Sequence, residues 1–68
     1  MNRGPYTVTL LDADGCTIAC DELDTVSQAR TVAREHITDP EYIDAHKVEV
    51  CDVDGVCVFD LFANQVAA

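Results

Sequence analysis

The sequence predicts an α+β fold of ββαββ order, a four-stranded, mainly antiparallel sheet with one helix packed on one face. Two observations carry this. The pattern Asp-x-Asp-Gly occurs twice, as Asp12-Ala13-Asp14-Gly15 and Asp52-Val53-Asp54-Gly55, forty positions apart and each time between short apolar runs. Aspartate and glycine between such runs are the turn signal of a β-hairpin. Between the two hairpins, Val26, Ala29, Ala33 and Ile37 recur at helical spacing.

The elements follow in order. Residues 6–11 alternate, with Tyr6, Val8 and Leu10 on one face and Thr7, Thr9 and Leu11 on the other. β-branched and aromatic side chains suit a pleated strand. Residues 16–21 form its partner. With Ala13-Asp14-Gly15 as a three-residue loop, Gly15 takes the left-handed position of a bulged turn. Leu10 then faces Ile18 and Val8 faces Cys20, so Ile18 and Cys20 join the buried face. Residues 25–38 read as the helix. Thr25 with Gln28 is a capping box, and Asp24 complements the same end of the helix dipole. Asp39-Pro40 stops the helix, because the residue before proline avoids helical geometry. Asp39 then caps a short turn through Pro40-Glu41-Tyr42-Ile43, with Tyr42 and Ile43 as a lid on the core.

Residues 47–53 and 56–62 form the second hairpin, in one of two registers. A two-residue turn at Asp54-Gly55 sets Val48 opposite Leu61 and Val50 opposite Phe59. A three-residue loop sets Val50 opposite Val58. The first is preferred, since it buries the larger Phe59 and Leu61, and a one-residue slip would turn the strand inside out. Under that register the uncovered sheet face carries Leu11, Ala19, Cys51, Val53, Val56 and Val58 among threonines and charges. Such a face is a tolerated surface or a contact site. The tail 63–68 has no strong pattern.

Sixty-eight residues make a single domain, 1–68, with a thin core. A homodimer or a tight partner would add to its stability. Thirteen acids oppose four bases, Arg3, Arg30, Arg34 and Lys47, for a net charge of −9. That balance argues against direct nucleic-acid binding, which needs cations to displace phosphate counterions. It argues equally against an anionic membrane. It favours solubility and attraction to basic surfaces. Met1-Asn2-Arg3-Gly4-Pro5 leads straight into a strand with no apolar leader region, and no run reaches transmembrane length. The expected location is cytoplasmic, with Cys16, Cys20, Cys51 and Cys57 as reduced thiols.

These residues invite three chemistries: calcium, zinc and nucleophilic catalysis. A calcium loop counted from Asp12 meets Cys16 at the fifth position and Leu23 at the twelfth. Counted from Asp52 it meets Val56 and Ala63, so both lack the ligands such a loop needs. The cysteine spacings, Cys16-x₃-Cys20 and Cys51-x₅-Cys57, with His36 and His46 between, contain no zinc knuckle. Cys16 and Cys20 share a strand face, and Cys51 and Cys57 point to opposite faces of a regular strand. A nucleophilic pair of Cys51 and His46 lacks an orienting partner. His36 in the last helical turn is accounted for by the helix dipole. No glycine-rich phosphate loop is present. The expectation is a non-enzymatic protein with no catalytic residue, metal or cofactor.

The acids themselves are the candidate partner-binding residues: Asp12 and Asp14; Asp21, Glu22 and Asp24; Asp39, Glu41 and Asp44; Asp52 and Asp54. Alternate strand residues repeat at about 6.7 Å, so carboxylates on a sheet and its turns present a regular negative surface. Each cluster also has a local use in a turn or cap. Arg30 and Arg34, four apart on the helix, make that face less negative. Whether the two hairpin tips share one end of the sheet depends on how residues 39–46 return the chain.

A compact, highly acidic chain of hairpin–helix–hairpin order resembles the small proteins of phages and mobile elements. In character it is similar to anti-CRISPR proteins, several of which act as DNA mimics. The resemblance covers the whole chain in composition and layout and involves no specific motif. It implies a stoichiometric inhibitor that occupies the DNA-binding channel of a nucleoprotein complex, its carboxylates pairing with partner lysines and arginines. Two alternatives stand beside it: an accessory domain that homodimerises through the open sheet face, and a thiol or zinc protein using the four cysteines.

Overall fold

A computed structural model of the protein describes residues 4–66; Arg3 and the end of the tail, 67–68, lie outside the described residues. The strands are β1 (Tyr6–Asp12), β2 (Thr17–Leu23), β3 (Ala45–Cys51) and β4 (Cys57–Phe62). The main helix, α1, spans Val26–Thr38, and a short α2 spans Ala63–Val66. The sheet order is β2-β1-β3-β4 with every pairing antiparallel, which is the expected ββαββ layout. Among the described residues no helix is long and apolar enough to cross a membrane.

The helix boundaries have local causes. The Thr25 hydroxyl accepts the Gln28 backbone N–H at 3.1 Å and satisfies one of the helix's unpaired first-turn donors. At the other end Asp39 is extended, and Pro40 follows it. Asp39 then accepts the Glu41 N–H through its carboxylate and the Tyr42 N–H through its carbonyl, so the predicted short turn forms. Ala29, Ala33 and Ile37 are the buried stripe of α1, while Val26, one step from the cap, is exposed.

Small helix side chains let α1 lie close on the sheet. Beneath them Val8 and Leu10 of β1 and Val48 and Val50 of β3 are fully buried, with Tyr6 beside them. Burying each of those aliphatic side chains contributes roughly 1.5–3 kcal/mol. Tyr42 packs on this core as expected, but Ile43 is 85% exposed and is no lid. The Asp39 turn aims Tyr42 inward and leaves the next side chain outside.

Both hairpins close the same way. Gly15 donates to Asp12 O and Gly55 to Asp52 O, each at 3.0 Å, and both glycines have φ of +84°. The Asp12 N–H donates to Cys16 O and the Asp52 N–H to Val56 O. Both are three-residue loops with glycine in the left-handed position. The two-residue turn expected at Asp54-Gly55 is therefore corrected, yet Val48 does pair with Leu61 and Val50 with Phe59. The reconciliation is a β-bulge: Cys57 pairs with Cys51, and Val58 is the extra residue.

The first hairpin carries the equivalent bulge at Ile18. Leu11 pairs with Thr17 and Leu10 with Ala19, so Val8 faces Asp21 instead of Cys20. The expected pairing of Leu10 with Ile18 is thus one residue off beyond the bulge. The consequence is systematic. Ala19 and Val58, assigned to the open face, pack against the core, and Cys20 is exposed.

The central pairing joins the two hairpins about a pseudo-twofold axis. Thr7 pairs with Cys51, Val8 with Val50, Thr9 with Glu49, Leu10 with Val48 and Leu11 with Lys47. Shifting one strand by the forty-residue spacing of the Asp-x-Asp-Gly motifs maps this set of pairs onto itself, with Thr9 and Glu49 as equivalent positions. An antiparallel pairing of β1 with β3 sends the two turns to opposite ends of the sheet.

Candidate functional site

Local turn chemistry places the first pair of acids. Asp12 Oδ1 accepts the backbone N–H groups of Asp14 and Cys16, each at 2.9 Å. This bond set fixes the loop and leaves Asp14 exposed at its tip. β3 begins beside the end of β1, with Asp12 paired to Ala45. The α1–β3 connection therefore arrives at this same end. Asp12, Ala13, Asp14 and Asp44 line one shallow hollow; Asp12, Ile18, Glu41, Tyr42, Ile43 and Asp44 line its neighbour. Four carboxylates from two clusters that the sequence keeps thirty residues apart thus converge, with no basic side chain in either lining. Asp39 starts the same connection but turns inward and serves as its cap.

At the opposite end, Asp52 repeats the bonds of Asp12, accepting the N–H groups of Asp54 and Val56 at 2.9 Å. It is buried, only 6% exposed, whereas Asp54 is exposed. Glu22 and Asp24 leave β2 at this end too, on the far side of β1 from Asp52 and Asp54. Gly4 lies between and packs so tightly that a Cβ there would sit 2.4 Å from the Asp24 carbonyl oxygen. The bottom acids are therefore split by the start of β1, whereas the top ones share a hollow.

Asp21 stands apart from its sequence cluster. The bulge at Ile18 turns it toward α1, where its carboxylate meets His36 Nε2. His36 also stacks edge-on against Tyr42, with ring centroids 5.5 Å apart. The pair ties β2, α1 and the following turn together, a contact beyond the helix-dipole role expected for His36.

The bases among the described residues, Lys47, Arg30 and Arg34, have other partners and line neither top hollow. Lys47 reaches Glu49 at 3.1 Å and Asp60 at 3.8 Å on the open sheet face. The hydrogen bond that Lys47 donates to Glu49, aided by the charges of Glu49 and Asp60, holds the Lys47 ammonium above its ordinary pKa. Arg30 and Arg34 lie over the Phe59 ring, 4.8 and 5.8 Å from its centroid.

The open face reads in rows across the sheet: Glu22, Thr7, Cys51 and Cys57; then Cys20, Thr9, Glu49 and Asp60. Cys51 and Cys57 therefore share a face and a row, which corrects the expectation that they point apart. Cys16 lies in the first turn and is exposed, and so is Cys20. Among the described residues no three His, Cys, Asp or Glu side chains are grouped so as to hold a metal ion. No protein-family model, curated protein or solved structure matches the chain.

Proposed function

We propose that this protein is a non-enzymatic, acidic protein-binding module whose top end engages a basic, nucleic-acid-binding surface of a partner in the cytoplasm. The observation that carries the reading is the convergence of Asp12, Asp14, Glu41 and Asp44 on adjoining hollows without a base among them. Like charges gathered at one end raise the local field and attract a cationic groove over distances set by the Debye length, about 8 Å at physiological salt. A partner groove built for phosphates has the complementary charge, so occupying it would displace nucleic acid by competition. This is the action of a stoichiometric inhibitor of the DNA-mimic kind. Direct binding to nucleic acid or to an anionic membrane is disfavoured by the net charge of −9.

Asp14 and Asp44 are the residues to rely on, because both are exposed and neither closes a turn through its own side chain. The alternative, a homodimer through the open sheet face, draws less support. The centre of that face holds the Lys47–Glu49–Asp60 ion cluster and not an apolar patch. The test is a pull-down from host lysate, followed by competition with duplex DNA. A basic nucleic-acid-binding partner should be recovered, released by DNA, and bound more weakly as salt rises. Asp14→Asn with Asp44→Asn should weaken it several-fold. Binding indifferent to salt, to DNA and to that double variant would overturn the reading.

A further inference from the structure

We propose that Cys51 and Cys57 form a dithiol–disulfide site that exchanges reversibly with low-molecular-weight disulfides. The two residues are cross-strand partners on the open face, where β3 meets the edge strand β4. The pair next to them, Asp52 and Val56, is closed by the Asp52 N–H to Val56 O bond. Bonded and non-bonded pairs alternate along an antiparallel ladder, so Cys51 and Cys57 occupy a non-hydrogen-bonded position. Such pairs stand roughly 4.5 Å apart between Cα atoms, inside the ~4.4–6.8 Å that a disulfide spans.

Neither Cys16 nor Cys20 comes within that reach of Cys51 or Cys57. Cys20 is separated from Cys51 by the whole of β1, two inter-strand spacings of about 4.8 Å, which already exceeds the limit. Cys16 belongs to the turn at the far end of the sheet. The site exists because the loop has three residues: closing Asp52 on Val56 sets Cys57 opposite Cys51, and the bulge at Val58 then restores Phe59 opposite Val50. A two-residue turn in an unbulged hairpin would set Val58 opposite Cys51 and turn Cys57 to the helix side.

Exposure and burial set the order of events. Cys57 is exposed and its thiol makes only a weak bond to the Phe59 carbonyl, at 3.5 Å. Cys51 is half-buried, and burial first, then the neighbouring Cys57 and Glu49, push its thiol pKa up. The Cys57 thiolate attacks one sulfur of the small disulfide, forming a mixed disulfide and releasing one small thiol. Cys51 then gives up its proton and attacks the Cys57 sulfur, releasing the second. One sulfur–sulfur bond breaks and one forms. Two electrons pass to the small disulfide, and the two protein protons finish on the two released thiols. An exposed disulfide of this kind is the labile, reversible class.

The experiment uses the full chain, reduced and then incubated anaerobically with oxidised glutathione, and followed by intact mass and peptide mapping. Free thiols should fall from four to two, with the bond mapped to Cys51–Cys57 and reversed by reduced glutathione. Cys16→Ser with Cys20→Ser should behave as the native chain does. Cys51→Ser should accumulate a stable glutathione adduct at Cys57, and Cys57→Ser should react several-fold more slowly than either. Adducts spread over Cys16 and Cys20 with no Cys51–Cys57 bond would overturn the proposal. So would a Cys51→Ser chain that holds no more glutathione than the native one.

Discussion

The two Asp-x-Asp-Gly turns differ in what surrounds them and in almost nothing else. Their backbone bonds, their aspartate caps and the φ of their glycines agree closely. Yet Asp12 is half-buried and borders a hollow it shares with Asp44, while Asp52 is buried at an end where the acids are divided. The motif is therefore a device for making a turn. Whatever recognition the tip performs depends on the segment that arrives beside it.

The difference is best broken at the caps. Asp52→Ala leaves two N–H groups without their acceptor at a buried site and should cost about 2–3 kcal/mol. Asp12→Ala does the same nearer to solvent, where water substitutes, and should cost about 1 kcal/mol. Urea unfolding of the two variants measures the gap, and equal losses would show that burial does not separate the turns. Next come the glycines. Gly15→Ala and Gly55→Ala meet no neighbouring atom within 4 Å, so only the left-handed backbone is taxed, by about 1 kcal/mol in each. Here the two turns should agree, and a larger loss at one of them would reveal a contact specific to it.

Smaller still are the tips. Asp44→Asn relieves repulsion with Asp12 and Asp14 and should raise stability by about 0.5 kcal/mol at low salt, with no gain above about 1 M salt. Asp54→Asn, lacking such company, should change little in either condition. The smallest effect concerns pH and the sheet between the turns. Cys51 and Lys47 both have folded pKa values raised above 9.0 and 10.5 respectively. For each, the stabilising contribution is complete below its unfolded pKa and is lost as pH rises through the folded one. Urea midpoints should therefore be flat from neutrality to about pH 9 and fall above it. Lys47→Met should remove the upper part of that fall and leave the part that begins with Cys51.

Much of the fold was legible because its signals are local. Thr25 before an apolar stripe, Asp39 before Pro40, and aspartate–glycine turns each act within a few residues, and each is found in place. The bulges at Ile18 and Val58 were not legible. An isoleucine or valine that adds a residue to a strand looks the same in sequence as one that continues it. For the second hairpin, the loop length of one candidate register and the strand pairing of the other coexist, and only an extra residue permits both. The misassigned faces of Cys20 and Ala19 follow from the bulge at Ile18, that of Val58 from its own bulge, and that of Cys57 from the three-residue loop. Among the acids, the clusters could be named from the sequence but not grouped. Their grouping rests on β1 pairing antiparallel to β3, a contact between residues some forty apart that no local signal encodes. Asp21 shows the same limit, since the bulge turns it to the helix side, where it meets His36.

Those bulges also decide how one molecule meets another. β2 and β4 are the two open rims of the sheet, and each has one residue out of step near its start. A strand from a neighbouring copy laid along either rim would lose its ladder at that step, and beyond it would meet Asp21 and Glu22 on one rim or Asp60 on the other. Kinked, charged rims are how small sheets avoid stacking edge to edge into fibrils. A chain that is 49% hydrophobic and folds around two exposed rims thus guards itself against aggregation by the same extra residues that set its pairing.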